Sequence, residues 1–497
     1  MKYYLGVDIG TTAVKAVAFS VNGETLAKHS CTYKMYHPQP AQSEQDPYEI
    51  LEAITTSVNT VMQSLSPAVP QLVGFSAAMH SILAVDENGN PLTNCMTWAD
   101  NRAAAIAENL RNSDTGSLIY NTTGVPVHAM SPLAKLLWLK ENEPRLFQQA
   151  YKFIGIKEFL FYKLFGEYVI DTSVASATGL LNLRTLEWDS GILTWLELSA
   201  EKLSTVVPVK QVFSFDPAQN NGHLSFPYFT GKTPFIIGGS DGALANLGSG
   251  VLNNNAMVVT IGTSAAARII TREARTDSAM RTFCYHVKDD LYIRGGASNN
   301  GAIALQWLKE SLLQTTDSYE QLFQQAIHIT PGCDNLLFLP YILGERAPLW
   351  NAQAKGAFFG LTINHTKAHL TRAVMEGVIY NLYSIGKVVM ENNIVGAIHT
   401  TGVFIHNPLW LQLLADVFNT PVLVSAAMES SALGAVLLGM EALEEDCYFN
   451  RQTPARYEPD AIKHTKYLQH FEKMERVYEL VKHEFGKESI PAQQMVL

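Results

Sequence analysis

Residues 236–265 read IIGGSDGALANLGSGVLNNNAMVVTIGTSA, and this stretch contains two short apolar strands that each end in small polar residues. The first predicted strand stops at a pair of glycines and is followed by a single carboxylate, Asp241. The second, residues 257–261, runs into a Gly-Thr-Ser turn. A charge placed between glycines at the end of a buried strand is typical of a reactive group held in a cleft. An ordinary turn containing Asp is equally consistent with this sequence, so other parts of the chain are needed to distinguish the two interpretations.

The opening of the chain repeats this pattern. Residues 8–12 read DIGTT after an apolar strand, and residues 260–264 read TIGTS after another. In both, glycine allows the backbone to approach a ligand closely, and turn N–H groups beside two hydroxyls form a nest for phosphate oxygens. Asn22-Gly23 predicts a hairpin turn that returns the chain as a third strand. Two such phosphate turns, one opening each half, predict two similar domains that grip one nucleotide between them.

The length and composition of the chain fit a large globular enzyme. Its 497 residues are 47% hydrophobic and 16% charged, and a chain of this size divides most naturally into two domains of roughly 200 to 250 residues. The net charge of −10 disfavours nucleic acid and anionic membranes as partners. The five cysteines are widely spaced without a CxxC pair, so a reducing cytoplasm is expected, without a zinc site or a disulfide framework. No run of about 18 uncharged apolar residues predicts a signal peptide or a membrane span.

Polar side chains follow the strands of the first half, in which strands alternate with helices as in an α/β protein. His80 follows the predicted strand 72–75, and Asp100 and Arg102 follow the next strand. Ligands of α/β sheets bind beyond the ends of such strands. By spacing alone, however, a satisfied core histidine and an exposed arginine in the first turn of a helix are the commoner explanations.

The second half offers glycines and small residues at further turns. Residues 294–301 predict a glycine-rich turn that leads into a helix, which is a ready site for anions or nucleotides. Another strand ends at Gly402, and residues 430–440 predict a helix of small residues that can pack very close to a neighbour. Residues 242–256 predict a flexible link at the seam between the two domains. Neither a Walker A motif nor a G-x-G-x-x-G fingerprint is present.

Taken together, these motifs resemble the FGGY family of carbohydrate kinases, within the actin-like ATPase superfamily, over nearly the whole chain. Residues 8–12 with Lys15 resemble the first phosphate motif of the family, and residues 130–142 resemble its N-domain signature. Residues 356–361 and 369–376 resemble its C-domain signature. The resemblance implies an α/β fold of two actin-like ATPase (ribonuclease H-like) domains with a central cleft. The implied parts are an N-terminal domain over 1–245, a C-terminal domain over 246–450 and a helical tail over 451–497.

Two segments point to a subfamily. Residues 75–81 and 97–103 look like gluconokinases, whereas xylulokinases share Met79-His80 but usually place glycine where this chain has Ser81. One departure from the family lies in the adenosine motif, because residues 401–406 keep only one glycine. The resemblance implies ATP-dependent phosphorylation of D-gluconate at its 6-hydroxyl. The alternatives are a kinase for D-xylulose or another neutral sugar or polyol, and a non-catalytic sensor of the same superfamily.

The resemblance also implies roles for individual residues. Asp241 is expected to act as the general base and to contact the sugar, and Asp8 is expected to hold Mg²⁺. Arg102 is the first choice for the cation that binds the carboxylate of gluconate. The residues expected at the sugar, besides Asp241, are His80, Asp100, Arg102 and Lys157. The residues expected at ATP are Gly10, Thr11, Thr12, Lys15, Gly262, Thr263, Ser264, Gly301, Gly402 and His406. The implied partners are a small sugar acid and ATP in the cytoplasm, without nucleic acid or membrane, and a homodimer is left open.

Overall fold

The sheet of the N-terminal lobe forms from the opening hairpins and the strands that follow them. The computed structural model describes residues 2–217, 224–252, 255–391, 393–424, 429–446 and 455–485. The strands of this first sheet are β1 (Tyr3–Ile9), β2 (Ala13–Ser20), β3 (Thr25–Thr32), β4 (Val73–Ala77), β5 (Val212–Phe215) and β6 (Thr233–Ser240). They lie in the order β5-β6-β4-β1-β2-β3, in which β1 pairs antiparallel with β2 and parallel with β4. The predicted run of three consecutive strands around Asn22-Gly23 is confirmed.

The sheet of the C-terminal lobe repeats this arrangement. Its strands are β7 (Ala256–Ile261), β8 (Ala265–Thr271), β9 (Phe283–Lys288), β10 (Leu291–Ser298), β11 (Ala397–Thr401), β12 (Val422–Val424) and β13 (Ala455–Tyr457). They lie in the order β9-β10-β8-β7-β11-β12-β13, and β7 pairs antiparallel with β8 and parallel with β11. The series β3-β2-β1-β4-β6 therefore corresponds to β10-β8-β7-β11-β12. The turns at residues 10–12 and 262–264 consequently lie at equivalent corners of the two sheets, as the matching motifs predict.

Helices cover both sheets. Those that bear on the cores and the site are α1 (Pro47–Leu65), α2 (Pro132–Asn142), α3 (Ile156–Phe165), α4 (Asp241–Gly248), α5 (Lys367–Met390), α6 (Pro408–Phe418), α7 (Ser430–Ala442) and α8 (Ala461–Val481). Further helices span Ala104–Arg111, Asp114–Thr123, Pro144–Gln149, Thr172–Ala175, Ser190–Leu196, Ile303–Trp307 and Tyr319–Ala326. Short strands outside the two sheets include Leu83–Val85, Lys152–Ile154, Val169–Asp171, Thr205–Val207, Leu337–Leu339 and Ala357–Phe359. Within the described ranges, no helix is both long enough and apolar enough to cross a membrane.

The helix starts follow from the local sequence. The side chain of Asp46 accepts a hydrogen bond of 2.8 Å from the backbone N–H of Tyr48, and Pro47 occupies the first position of α1. Asn407 caps α6 in the same way. The apolar faces of α1 and α3 pack on one side of the first sheet, and those of α5, α6 and α8 pack on one side of the second. Each lobe thus has its own core.

Two helices exchange sheets at the centre of the molecule. α4 continues from β6 of the first sheet, but its Ala243 belongs to a core cluster with Ile270 and Tyr285 of the second sheet. α7 comes from the C-terminal half of the chain, yet its Ala432 and Val436 pack against the first sheet. Each lobe therefore supplies one helix to the core of the other.

The exchanged helices cross with their backbones in contact. A Cβ on Gly248 of α4 would lie 2.0 Å from the carbonyl oxygen of Ser430, and a Cβ on Gly434 of α7 would lie 2.0 Å from that of Leu244. Only glycine fits at these two positions, because any larger residue would push the helices apart. The prediction of a small-residue helix in close contact with a neighbour is confirmed.

Two local predictions are wrong. Residues 242–248 do not form a flexible link, because they are buried within α4, where their small side chains serve helix packing. Residues 294–298 are not a turn but the end of β10, and Gly295 is needed there because a Cβ would lie 2.2 Å from the carbonyl oxygen of Ala267 on the next strand. Within the predicted tail over 451–497, α8 forms a helix, whereas residues 451–454 and 486–497 lie outside the described residues.

Candidate active site

Asp8 lies at the carboxyl end of β1, directly beside the end of β4. Its partner across the parallel strands is Ser76, whose hydroxyl donates a 2.7 Å hydrogen bond to Oδ1 of Asp8. Burial and the negative charge of Asp241 raise the pKa of Asp8 to about 6, and the Ser76 hydrogen bond opposes this shift. The carboxyl groups of Asp8 and Asp241 therefore share one electrostatic environment.

Asp241 lies where β6 ends and α4 begins. The strand is irregular just before it: Gly238 has a φ of 70°, and a Cβ there would lie 1.7 Å from the carbonyl oxygen of Phe75. The backbone N–H of Gly242 donates to Oδ1 of Asp241 at 2.7 Å. Burial raises the pKa of Asp241, and the positive charge of Arg268 acts most strongly against that shift. A carboxylate in this position can accept a proton from a bound hydroxyl.

Lys157 holds the backbone that leads to Asp241. Its ammonium group donates to the carbonyl oxygens of Ile237 at 3.0 Å and Gly239 at 3.2 Å, and it pairs with Asp171 at 2.6 Å. The ammonium group is thereby bound within the protein by two hydrogen bonds and one ion pair. A direct contact between Lys157 and the sugar stays a prediction, while its contact with the strand end is part of the structure.

The first phosphate turn is fixed by side chains from its own lobe. The N–H of Gly10 donates to the carbonyl oxygen of Ala13 at 3.1 Å, which closes the turn. The indole of Trp98 donates to the hydroxyl of Thr11 at 2.8 Å, and Thr12 is exposed. Lys15 is exposed on β2 and pairs with Glu429 at 3.2 Å. The N–H groups of the turn other than that of Gly10, together with the Thr12 hydroxyl, can bind phosphate oxygens.

The second phosphate turn is held in a corresponding way. The N–H of Gly262 donates to the carbonyl oxygen of Ser264 at 2.9 Å, and the N–H of Gly301 donates to that of Thr263 at 3.0 Å. A Cβ on Gly301 would lie 2.5 Å from the carbonyl oxygen of Ser264, so glycine is required for the chain to pack on this turn. Thr263 is exposed at its tip.

Gly402 follows β11, next to the second phosphate turn. It has a φ of 100°, and a Cβ there would lie 2.5 Å from the carbonyl oxygen of Ile261. His406 ends the short helical turn that follows and is exposed. The location agrees with an adenosine site on the C-terminal lobe, and the contacts of both residues with the nucleotide stay predictions.

His80 is buried and neutral. Its Nδ1 lies 2.8 Å from the carbonyl oxygen of Ala177, which can only accept, so Nδ1 carries the proton and Nε2 is an acceptor. Burial, with the charges of Lys135 and Arg346, lowers the pKa of His80 to about 3. Its φ of 70° is unusual for a residue with a side chain and is typical of functional sites. A neutral Nε2 can accept a hydrogen bond from a sugar hydroxyl.

Asp100 and Arg102 form an internal ion pair. Asp100 has no exposed surface, and its carboxylate accepts from the N–H of Ser43 at 2.8 Å and from the Arg102 guanidinium at 2.8 and 2.9 Å. The Arg102 guanidinium also pairs with Glu44 and lies 5.2 Å from the ring centre of Trp138. Two protein carboxylates thus already neutralise this cation. Substrate contacts of Asp100 and Arg102 stay predictions.

Two arginines that the sequence prediction did not include also reach the site. Arg268 projects from β8, and Arg346 projects from the loop after Leu337–Leu339. Both act electrostatically on Asp241. A charged residue within the otherwise apolar strand AAARIIT was a signal that could have identified Arg268. Arg346 lies in a loop with no comparable signal, and only the fold brings it to the site.

The comparisons with known proteins agree with this geometry. The model of the N-terminal domain of the FGGY family of carbohydrate kinases matches residues 3–248, and that of the C-terminal domain matches residues 257–443. The chain belongs to this family. Its members transfer phosphate from ATP to an alcohol group of a sugar or polyol.

Individual relatives within the family include kinases of gluconate and of xylulose. A gluconokinase of Bacillus licheniformis is 42% identical over 451 residues, which cover 88% of this chain and 87% of that protein. The crystal structure of a gluconate kinase from Lactobacillus acidophilus covers 98% of this chain and 99% of its own, with a TM-score of 0.92 and 34% identity. A ligand-bound xylulose kinase from the same organism matches with a TM-score of 0.92, 34% identity, and coverage of 98% and 100%. The solved structures establish the two-lobed fold and do not separate the two sugars.

Proposed function

We propose that this enzyme transfers the γ-phosphoryl group of ATP to the 6-hydroxyl of D-gluconate. The observation that supports the proposal is the 42% identity to a gluconokinase over 88% of the chain, together with a carboxylate, Asp241, whose charge acts on Asp8 beside the first phosphate turn. The proposal locates the enzyme in the cytoplasm, and assembly as a homodimer stays a prediction.

The chain's own residues account for the main steps of the reaction. The N–H groups and hydroxyls of the turns at 10–12 and 262–264 hold the phosphate chain between the lobes. His80 accepts a hydrogen bond from a sugar hydroxyl and helps to orient the substrate. Asp241 accepts the proton of the attacking hydroxyl as the bond to phosphorus forms. Closure of the lobes excludes water and limits hydrolysis of ATP.

Asp8 is suited to bind magnesium. Mg²⁺ is usually bound by one or two carboxylates together with substrate phosphates and water, and Asp8 lies beside the first phosphate turn with one oxygen bonded to Ser76. When bound, Mg²⁺ would neutralise charge on the transferring phosphate. Within the described residues no group of three or more His, Cys, Asp or Glu side chains forms a metal site by itself.

The test is phosphorylation of a substrate panel with ATP and Mg²⁺: D-gluconate, D-xylulose, L-ribulose and glycerol. We expect kcat/KM to be highest for D-gluconate. A preference for D-xylulose is the second candidate, favoured by the xylulose kinase of equal structural similarity. That outcome would keep the roles of Asp8 and Asp241 and discard gluconate as the substrate. Activity on none of the four would favour a non-catalytic sensor.

A further inference from the structure

Arg268 and Arg346 are two cations of the C-terminal lobe. Within the described residues, no Asp or Glu oxygen lies within 4.0 Å of either guanidinium. Arg268 makes a long hydrogen bond of 3.4 Å to the Thr260 hydroxyl. Arg346 is 8% exposed, donates from Nη2 to the carbonyl oxygen of Ser298 at 3.1 Å, and has a buried Nε without a hydrogen-bond partner. A buried, unsatisfied guanidinium is costly unless something else binds it.

Arg346 reaches across to the N-terminal lobe. Its guanidinium carbon lies 4.6 Å from the ring centre of Trp98, which in turn bonds Thr11 of the first phosphate turn. Its charge also acts on His80, the residue placed to accept from a sugar hydroxyl. Arg346 is therefore at the sugar side of the cleft, between the two lobes.

The neighbouring Glu345 does not satisfy Arg346 through its side chain. Its carboxylate accepts from the Ser298 hydroxyl at 2.8 Å, the Asn300 amide at 3.0 Å and the Asn381 amide at 2.8 Å. It also accepts from the backbone N–H groups of residues 299 and 346. Those five donors occupy both oxygens, so Glu345 does not supply the Arg346 guanidinium with an anion in direct contact.

The contrast with Arg102 decides between the two candidates for substrate recognition. Arg102 is bound by Asp100 and by Glu44, so a substrate carboxylate would have to displace or share those partners. The Nε of Arg346 has no hydrogen-bond partner, and the guanidinium is repelled by the charge of Arg268. An anion bound at Arg346 would accept a hydrogen bond and would offset this repulsion. Arg268 lies against the backbone of Gly242, the residue after Asp241, and its charge acts on Asp241 more strongly than that of Arg346.

We propose that Arg346, assisted by the charge of Arg268, binds the carboxylate of the sugar acid and thereby selects acids over neutral sugars. This inference rests on the proposed function, because it assigns the specificity of the same site. The C-terminal lobe would then bind the carboxylate of the substrate, and His80 of the N-terminal lobe would bind its hydroxyls. The substrate would therefore contact both lobes.

The test compares kcat/KM for D-gluconate and D-xylulose in matched arginine variants. In Arg346→Met we expect the gluconate-to-xylulose ratio to fall by about 10- to 100-fold, which is the usual loss for one charge-assisted contact. Arg346→Lys keeps the charge but loses the planar guanidinium. Its gluconate-to-xylulose ratio should therefore lie between those of the wild type and Arg346→Met. Arg102→Lys should change both substrates in proportion. Arg272→Met, at an exposed arginine paired with Asp290, controls for the loss of one positive charge.

The outcomes separate the two proposals. A wild-type enzyme that prefers gluconate, with the same preference in Arg346→Met, overturns the inference and leaves the proposed function intact. A selective loss in Arg102→Lys alone assigns the carboxylate to Arg102 and also overturns it. A wild-type enzyme without preference for gluconate overturns both. ADP binding and the thermal midpoint report on folding, and if Arg346→Met does not fold, the expected selective loss in Arg346→Lys carries the test.

Discussion

The guanidinium of Arg268 lies against the backbone of Gly242, so closely that a Cβ on Gly242 would be 3.6 Å from Cζ of Arg268. Gly242 follows Asp241, and its N–H bonds the Asp241 carboxylate. A cation from the second lobe therefore stands beside the proposed base from the first. Burial raises the pKa of Asp241, and Arg268 lowers it.

Removing that cation should move the pH profile. In Arg268→Met the ionised form of Asp241 loses a stabilising charge, so its pKa rises and the acid limb of kcat shifts to higher pH. The measurement is kcat with D-gluconate from pH 5 to 9, with Arg272→Met as the control for net charge. An acid limb that stays in place would show that Arg268 does not act on the base.

Loss of the base should lower turnover strongly without loss of nucleotide binding. Asp241→Asn keeps the shape of the side chain but cannot accept a proton, and general-base catalysis is worth roughly 10²- to 10⁴-fold. We expect kcat to fall by about that factor while the Kd for ADP, measured by calorimetry, stays within about twofold. Asp290→Asn, at an exposed carboxylate, is the matched control. Near wild-type kcat in Asp241→Asn would exclude the residue as the base.

Lys157 offers a test of positioning. Lys157→Met leaves Asp171 buried without its ion-pair partner and frees the carbonyl oxygens before Asp241. Breaking one side of a buried ion pair costs about 3–5 kcal/mol, so the thermal midpoint should fall. We also expect kcat to fall with little change in the KM for ATP, since the base is displaced while the phosphate turns are not. A rise in the KM for gluconate alone would instead indicate direct contact with the sugar.

The close crossing of α4 and α7 predicts that alanine substitutions at two glycines differ strongly in their effect on stability. Gly248→Ala would place a Cβ 2.0 Å from the Ser430 carbonyl oxygen, whereas a Cβ on Gly231 meets nothing within 4 Å. Overpacking of this kind costs about 1–3 kcal/mol, so Gly248→Ala should lower the free energy of unfolding by that amount, while Gly231→Ala should leave it nearly unchanged. Denaturant titration measures both. Equal stability of the two variants would mean that the crossing adjusts without strain.

How much the sequence predicts depends on how local each signal is. The turns that follow β1 and β7 carry their glycines and hydroxyls within a few residues, so the two equivalent phosphate turns and the similarity of the two domains could be predicted. Gly295 belongs to a similar glycine-rich pattern but serves strand packing, because its neighbour across the sheet is set by distant residues. Whether an arginine is paired also depends on residues far away in the sequence. Arg102 is neutralised by Glu44, 58 positions away, and Arg346 contacts Trp98 only in the folded chain.

The exchange of α4 and α7 means that neither half of the chain is a self-sufficient folding unit. A fragment that stopped after Gly248 would leave the strip of the first sheet at Tyr4, Gly6 and Ile236 bare to water, because its cover is supplied by α7. Two separately synthesised halves would each carry the piece that the other lacks. Such halves should assemble only with one another, as a complementing pair, and the cleft would be rebuilt in the same event.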